Sequence, residues 1–387
     1  MRRLAGTALV LTALFALPGA AVAAQSDTHV QLLAINDLHG HLAPNTPGTI
    51  QVGCCNPVFS GGVQTGWTQK TVPAGGIAYL ATHIKTLRQT NPNTITVGAG
   101  DLIGASPLVS GLFHDEPTIE ALNSIGLDVS GVGNHEFDEG VDELLRMRYG
   151  NQRGGDGCHP VDGCQDGTPF GGSLFPYLAA NVFYLGTDTT ILPPYEVRKV
   201  GNAKIAFIGL TLEGTPTIVT PSAVAGLEFR PEVQTTNALV DKLRNEQGVK
   251  AFVVLLHQGG TQRPPSPPSS PTTTPTGNEY TDVNRCVNFN GPETEQIAAG
   301  LDPRVSVIVS AHTHQPYICT MSGKLVTSAS SFGRVVTDID LTIDPQSKAV
   351  RTPPRPITSS RRTCRRTRTP RRSSTSTRRS PRRWPTR

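Results

Sequence analysis

Short apolar runs alternate along this chain with amphipathic ones, and that alternation restricts the folds open to it. "HVQLLAI" (29–35), "TITVGA" (94–99), "LDVSGVG" (127–133), "FPYLAANV" (175–182), "KIAFIGL" (204–210), "AFVVLLH" (251–257), "VSVIVSA" (305–311), "KLVTSAS" (324–330) and "RVVTDIDLTI" (334–343) read as strands. Several are apolar almost throughout, as strands buried on both faces are. Between them, "GGIAYLATHIKTLRQ", "PTIEALNSIG", "VDELLRMR", "TTNALVDKLRNEQ" and "ETEQIAAGL" carry apolar residues at helical spacing. Strands separated in this way by helices predict an α/β protein whose sheets lie inside layers of helix. The last strands follow one another without helices, which predicts a second, partly antiparallel sheet.

Polar residues gather where these strands end. "QLLAI" is followed by "NDLHG", with Asp37 and His39, and "TITVGA" by Gly100 and Asp101. "LDVSGVG" leads into Asn134 and His135, "AFVVLL" ends at His257, and "VSVIVSA" ends in His312-Thr313-His314. In an open α/β sheet the carboxyl ends of strands share an edge, so five segments converge on one crevice. Carboxylate and amide oxygens with imidazole nitrogens form a metal-ligand set. Three Asp or Asn and four His exceed the needs of one tetrahedral ion, which implies two ions bridged by a carboxylate. Gly40, Gly100 and Gly133 are expected to supply the backbone freedom for the bends. His29, His41, His83, His114 and His159 read as surface or packing histidines. Glu136, Glu139 and Asp142 read as an acidic first helical turn.

"NDLHGH", "GAGD", "GNHEFDEG", "LLHQGG" and "AHTHQPY", in this order, resemble the calcineurin-like metallophosphoesterases. They are most similar to the catalytic domain of the secreted 5'-nucleotidase family. The resemblance spans roughly residues 29–345 and implies a four-layer α/β/β/α sandwich of two mixed sheets. It implies that Asp37, His39 and His314 hold one metal, that Asn134, His257 and His312 hold the other, and that Asp101 bridges them. His135 matches the catalytic histidine of the family, and Asp138 the carboxylate that orients it. The implied reaction is attack of a metal-held hydroxide on a nucleotide phosphate ester, with zinc or manganese favoured over magnesium by the four histidines. UDP-sugar hydrolases and 2',3'-cyclic-nucleotide phosphodiesterases share the family, and a non-catalytic surface binding protein is the reading from another class. One departure from the pattern is Ala311, where the family has Gly before His-x-His.

The ends and the cysteines concern location and domain organisation. Met1-Arg2-Arg3, an apolar run over 4–16 and the small residues Ala21, Ala23 and Ala24 have the order of a secretory signal peptide, so residues 1–24 are expected to be a leader. A catalytic domain is expected over 25–348, in a secreted or cell-envelope protein without a transmembrane segment after processing. The expected partner is a nucleotide or another small phosphate ester, with no specific nucleic acid. Seven cysteines suit an oxidising compartment, with Cys158 paired to Cys164 across "CHPVDGC" and Cys286 to Cys319. The segment "QRPPSPPSSPTTTPTGNEY" (262–280) is expected to be a flexible surface excursion. Fourteen arginines and no acid lie from Arg351 onward, so against a net charge of +5 the first 350 residues carry 5 − 14 = −9. That tail (349–387) cannot build a core. It is expected to be disordered, either as the product of a GC-rich gene read one base out of frame in place of a nucleotide-recognition domain, or as a genuine basic arm that holds acidic polymers.

Overall fold

The structure is a computed structural model that describes residues 26–44, 48–262, 286, 289–351 and 355–356. The expected leader, most of the Pro-rich excursion and the tail beyond 356 lie outside the described residues.

Two six-stranded sheets form the centre. The first contains β1 (Thr28–Ile35), β4 (Thr94–Ala99), β5 (Val129–Gly131), β6 (Tyr177–Leu178), β17 (Thr337–Ile343) and β18 (Arg355–Pro356), in the spatial order β18-β17-β1-β4-β5-β6. The second contains β8 (Tyr195–Val200), β9 (Ala203–Thr211), β11 (Ala251–His257), β14 (Val305–Ser310), β15 (Pro316–Met321) and β16 (Lys324–Ala329), in the order β15-β16-β14-β11-β9-β8. A separate hairpin joins β2 (Thr49–Ser60) to β3 (Val63–Pro73). Two small ladders pair β7 (Val182–Tyr184) with β10 (Leu227–Phe229), and β12 (Thr261–Gln262) with β13 (Phe289–Asn290). In the first sheet β1, β4, β5 and β6 run parallel, and in the second β9, β11, β14 and β16 do. The antiparallel strands lie toward the edges of both sheets.

The period of two within each strand builds the layers. Val30, Leu32 and Ala34 of β1 face the other sheet, packed with Ala251, Val253 and Leu255 of β11. Their neighbours Leu33 and Ile35 face the opposite way, toward helices α1 (Ile77–Arg88), α3 (Glu116–Ile125) and α4 (Val141–Tyr149). Phe252, Val254 and Leu256 of β11 likewise face α5 (Glu232–Gln247) and α6 (Pro292–Gly300). The short α2 (Leu108–Gly111) precedes α3. In α1 the residues that go inside are Leu80, Ile84 and Leu87, spaced along one face. Helix α3 stops at Gly126, whose φ of 80° lets its N–H reach back to Leu122 and Asn123. The result is the four-layer α/β/β/α sandwich implied by the family resemblance.

The expectation for the last strands is corrected. β16 does join the second sheet, antiparallel to β15, but β17 crosses back to pair antiparallel with β1 from Thr28↔Ile343 to Ala34↔Thr337. Its apolar face closes the core between the sheets through Ile339, Leu341 and Ile343. The ordered chain also continues past residue 348: Arg351 pairs with Asp27 and Asp344, and Arg355–Pro356 adds to β17. The hairpin β2–β3 and strands β8 and β15 are absent from the reading by apolar runs, since their residues are mixed in polarity. Both expected disulfides are present, Cys158–Cys164 and Cys286–Cys319.

Candidate metal centre

Because β1, β4, β5, β11 and β14 deliver their carboxyl ends to one region, all seven expected ligands meet there. Asp37, His39 and His314 form one group of donors and Asp101, His257 and His312 another, with the donor atoms of each group within 4.8 Å of one another. Asp101 reaches both, with Oδ2 2.9 Å from His257 Nε2 and 3.7 Å from His39 Nε2. Asn134 Oδ1 lies 3.2 Å from the same His257 nitrogen. Five of these residues have left-handed backbone, with φ of 49° at Asp37, 47° at His39, 50° at Asp101, 70° at His312 and 57° at His314. Such conformations cost non-glycine residues about 1–3 kcal/mol each and collect at functional sites.

The strand-end bends are thus made largely by the donor residues themselves. Gly100, at φ 87°, does contribute a bend. Gly133 has a different role from the one expected: a Cβ there would stand 2.1 Å from Asp101 Oδ1 and 2.7 Å from His257 Cε1. It is a space-maker for the ligands. The departure at Ala311 is harmless, because its methyl is buried among the residues between the sheets and Gly259 leaves room for its carbonyl.

The donor arrangement fits divalent cations. His39 donates its Nδ1 proton to Gly104 O at 2.9 Å, and His257 donates its own to Ala99 O at 2.9 Å. His39 therefore presents an Nε2 lone pair inward, and His257 does so once it gives up the Nε2 proton that faces Asp101. His39 Nε2 faces His314 Nε2 at 3.1 Å, and His257 Nε2 faces two oxygens. Lone pairs so close repel unless positive charge stands between them. Burial pushes the Asp37 carboxyl up to about 7 and pulls His39 and His312 down to about 4, with His314 lowered for the same reason. Burial opposes ionisation of His257 and Asp101 too, but their mutual attraction overrides it, raising His257 to about 9 and holding Asp101 below the usual carboxylate range. The lowered His39, His312 and His314 and the ionised Asp101 are in the states that metal binding requires, whereas His257 and Asp37 have to give up a proton to a bound cation.

Next to these groups, His135 Nδ1 donates to Asp138 Oδ2 at 2.8 Å, with both side chains about one-third exposed at 35%. The His135 N–H also donates to Asp101 Oδ1 at 2.9 Å. This hydrogen bond to Asp138 raises the His135 pKa above its ordinary value, against burial.

Two supporting residues escape a reading of the sequence. Asn36 donates to Asp37 Oδ2 and to Ser330 O while accepting from Ala329 N–H, so it ties the first ligand loop to β16. Glu136 does stand in the first turn of the short helix 135–137, but it is buried there and accepts the backbone N–H groups of Asp101 and Leu102 at 2.8 Å and of Gly133 at 2.7 Å. One carboxylate so fastens the loop after β4 to the loop after β5. Its place inside "GNHEFD" is the only signal the sequence offers. Glu136→Ala would leave three buried N–H groups unpaired at about 1–3 kcal/mol each, so urea unfolding should show a loss of several kcal/mol. Asp142→Ala, on the exposed first turn of α4, should stay within about 0.5 kcal/mol.

Residues 30–316 match the family described as calcineurin-like phosphoesterase. The chain belongs to that family. Its members use a dinuclear metal centre, and Asp37, His39 and His314 with Asp101, His257 and His312, Asp101 Oδ2 standing near both His39 and His257, are the candidate ligands for it here. Among relatives, Endonuclease YhcR of Bacillus subtilis is 31% identical over 329 residues, covering 85% of this chain and 23% of its own length. A snake venom 5'-nucleotidase of Gloydius brevicauda is 30% identical over 191 residues, 48% of this chain and 28% of that protein. The structure of NAD nucleotidase from Haemophilus influenzae superposes with a TM-score of 0.58 at 20% identity, covering 85% of this chain and 49% of that one. This metallophosphoesterase chain thus spans less than half the length of each of these proteins. Among the described residues no helix is long and apolar enough to cross a membrane.

Proposed function

We propose that this metallophosphoesterase is an exported enzyme that hydrolyses phosphate esters of nucleotides. Asp37, His39 and His314 would hold one divalent cation, Asn134, His257 and His312 a second, and Asp101 both. The observation that carries this reading is the meeting of two donor groups on Asp101 with the His135–Asp138 pair at their edge. When bound, the two cations supply charge to phosphoryl oxygens and make a water acidic enough to attack near neutral pH. The four histidine nitrogens favour zinc or manganese.

The protein's own part is to place groups and move a proton. Asp138 accepts a hydrogen bond from His135 Nδ1–H and so fixes the ring, and the protonated imidazole can donate from Nε2 to a phosphoryl or leaving oxygen. Glu136 and Asn36 hold the ligand loops so that donors need not reorganise. Export is supported by the basic, apolar and small-residue order of the first 24 residues and by two disulfides.

Hydrolysis of AMP to adenosine and phosphate, of UDP-glucose to UMP and glucose 1-phosphate, and of 2',3'-cyclic AMP to a nucleoside monophosphate, each followed before and after chelation, tests the reading. Release from AMP should disappear with chelator and return with zinc or manganese, and failure to hydrolyse any of the three would overturn it. A phosphodiester substrate is the second reading, supported by the likeness to a protein named an endonuclease. Faster cleavage of bis-p-nitrophenyl phosphate than of AMP would favour it.

A further inference from the structure

A further group of donors assembles outside the crevice from three separate segments. His114 lies in the turn between α2 and α3 with φ 50°, Glu139 follows Asp138, and His159 lies in the loop closed by the Cys158–Cys164 disulfide. One donor atom from each lies within 4.8 Å of the other two. None of the three belongs to the groups that meet on Asp101.

Their contacts differ from those of an ordinary surface ion pair. His114 Nδ1 stands 2.6 Å from Glu139 Oε2, and the His114 ring stacks on that of His159 with centroids 3.3 Å apart and 22° between the planes. Two imidazoles so close cannot both carry a proton's charge without strong repulsion. His159 is kept neutral by burial and by His114, and its Nδ1 receives only a long 3.3 Å contact from the Val161 N–H. The loop is also held in place: Glu116 accepts the N–H groups of His159 at 2.8 Å and Cys164 at 2.7 Å, and is itself paired with Arg146. His159 is therefore positioned against its partners by a disulfide and a half-buried carboxylate network.

We infer that His114, Glu139 and His159 bind a divalent cation of the zinc class, which fastens the disulfide-closed loop to the turn carrying His135 and Asp138. Two imidazoles and a carboxylate are a zinc donor set, with a fourth position left to water. The ion takes the place of the hydrogen bond between His114 and Glu139. It joins three segments that are far apart in sequence, and its effect is to restrain the loop 158–164 at the rim of the crevice.

The test uses the full chain equilibrated with zinc, desalted and analysed for metal, beside His159→Ala and His114→Asn. Asparagine is chosen because it tolerates the left-handed backbone at 114. Each variant should hold one zinc per chain fewer than the parent, and each should be cut faster by protease between residues 150 and 172 in the presence of zinc. Equal zinc contents in the parent and both variants would overturn the inference. A loss of two or more ions from either variant would overturn it as well, because the ion would then belong to the main centre.

Discussion

Asp101→Asn should lower metal-dependent phosphate release more than any single change at the other donors. One Asp101 oxygen faces His257 Nε2 at 2.9 Å and His39 Nε2 at 3.7 Å, so the same atom serves both groups. The other oxygen accepts the His135 N–H at 2.9 Å, which places the turn that carries His135 and Asp138. Asparagine keeps the volume and tolerates the left-handed φ of 50°. What it removes is the negative charge between two cations and one of two equivalent acceptors. The expected loss is on the order of 10³-fold, above the roughly 10- to 100-fold that follows removal of a partner behind the ligands. Metal content should fall in parallel. A variant that keeps two ions and parental turnover would show that Asp101 bridges nothing.

His135→Ala should behave differently, keeping both ions while turnover falls by about 10² to 10⁴, the range for a lost acid or base. His135 Nδ1 is committed to Asp138 at 2.8 Å, a pairing that orients an imidazole for proton transfer. Its ring meets that of His39 edge-on with centroids 5.0 Å apart, so it sits beside the ligands. Asp138→Asn should give a smaller defect of the same kind, since the ring loses its anchor but not its nitrogen. A ring nitrogen of His135 also lies within 4.8 Å of donors on His39 and Asp101. Metal analysis therefore decides: a collapse of metal content in His135→Ala would make it a ligand.

Much of the centre was legible because its signals are local. A ligand at the end of an apolar strand is announced by the strand before it, and parallel strands place such residues at one edge whatever else the chain does. Asp37, His39, Asp101, Asn134, His257, His312 and His314 all follow that rule, and the structure brings them together. The α/β class followed from the same periodicities, since Leu32 and Leu33 in β1 have to face opposite sides of a sheet.

The sequence alone could not decide burial, nor the meeting of remote segments. Glu136 and Asp142 look alike in sequence, six residues apart, yet one is enclosed by two ligand loops and the other stays in solvent, because only the packed layers determine which carboxylate water can reach. β17 resembles the strands before it, and its return to β1 depends on which sheet has an open edge when it is added. In sequence His114 and His159 read as surface or packing histidines and Glu139 as part of an acidic turn, and the donor set exists only where the turn between α2 and α3, the 135–139 turn and the disulfide loop come into contact. Local pattern therefore determined the type of each element and the chemistry at its end. The tertiary structure decided which polar groups lose water and which distant ones become neighbours, since both depend on what the rest of the chain places over them.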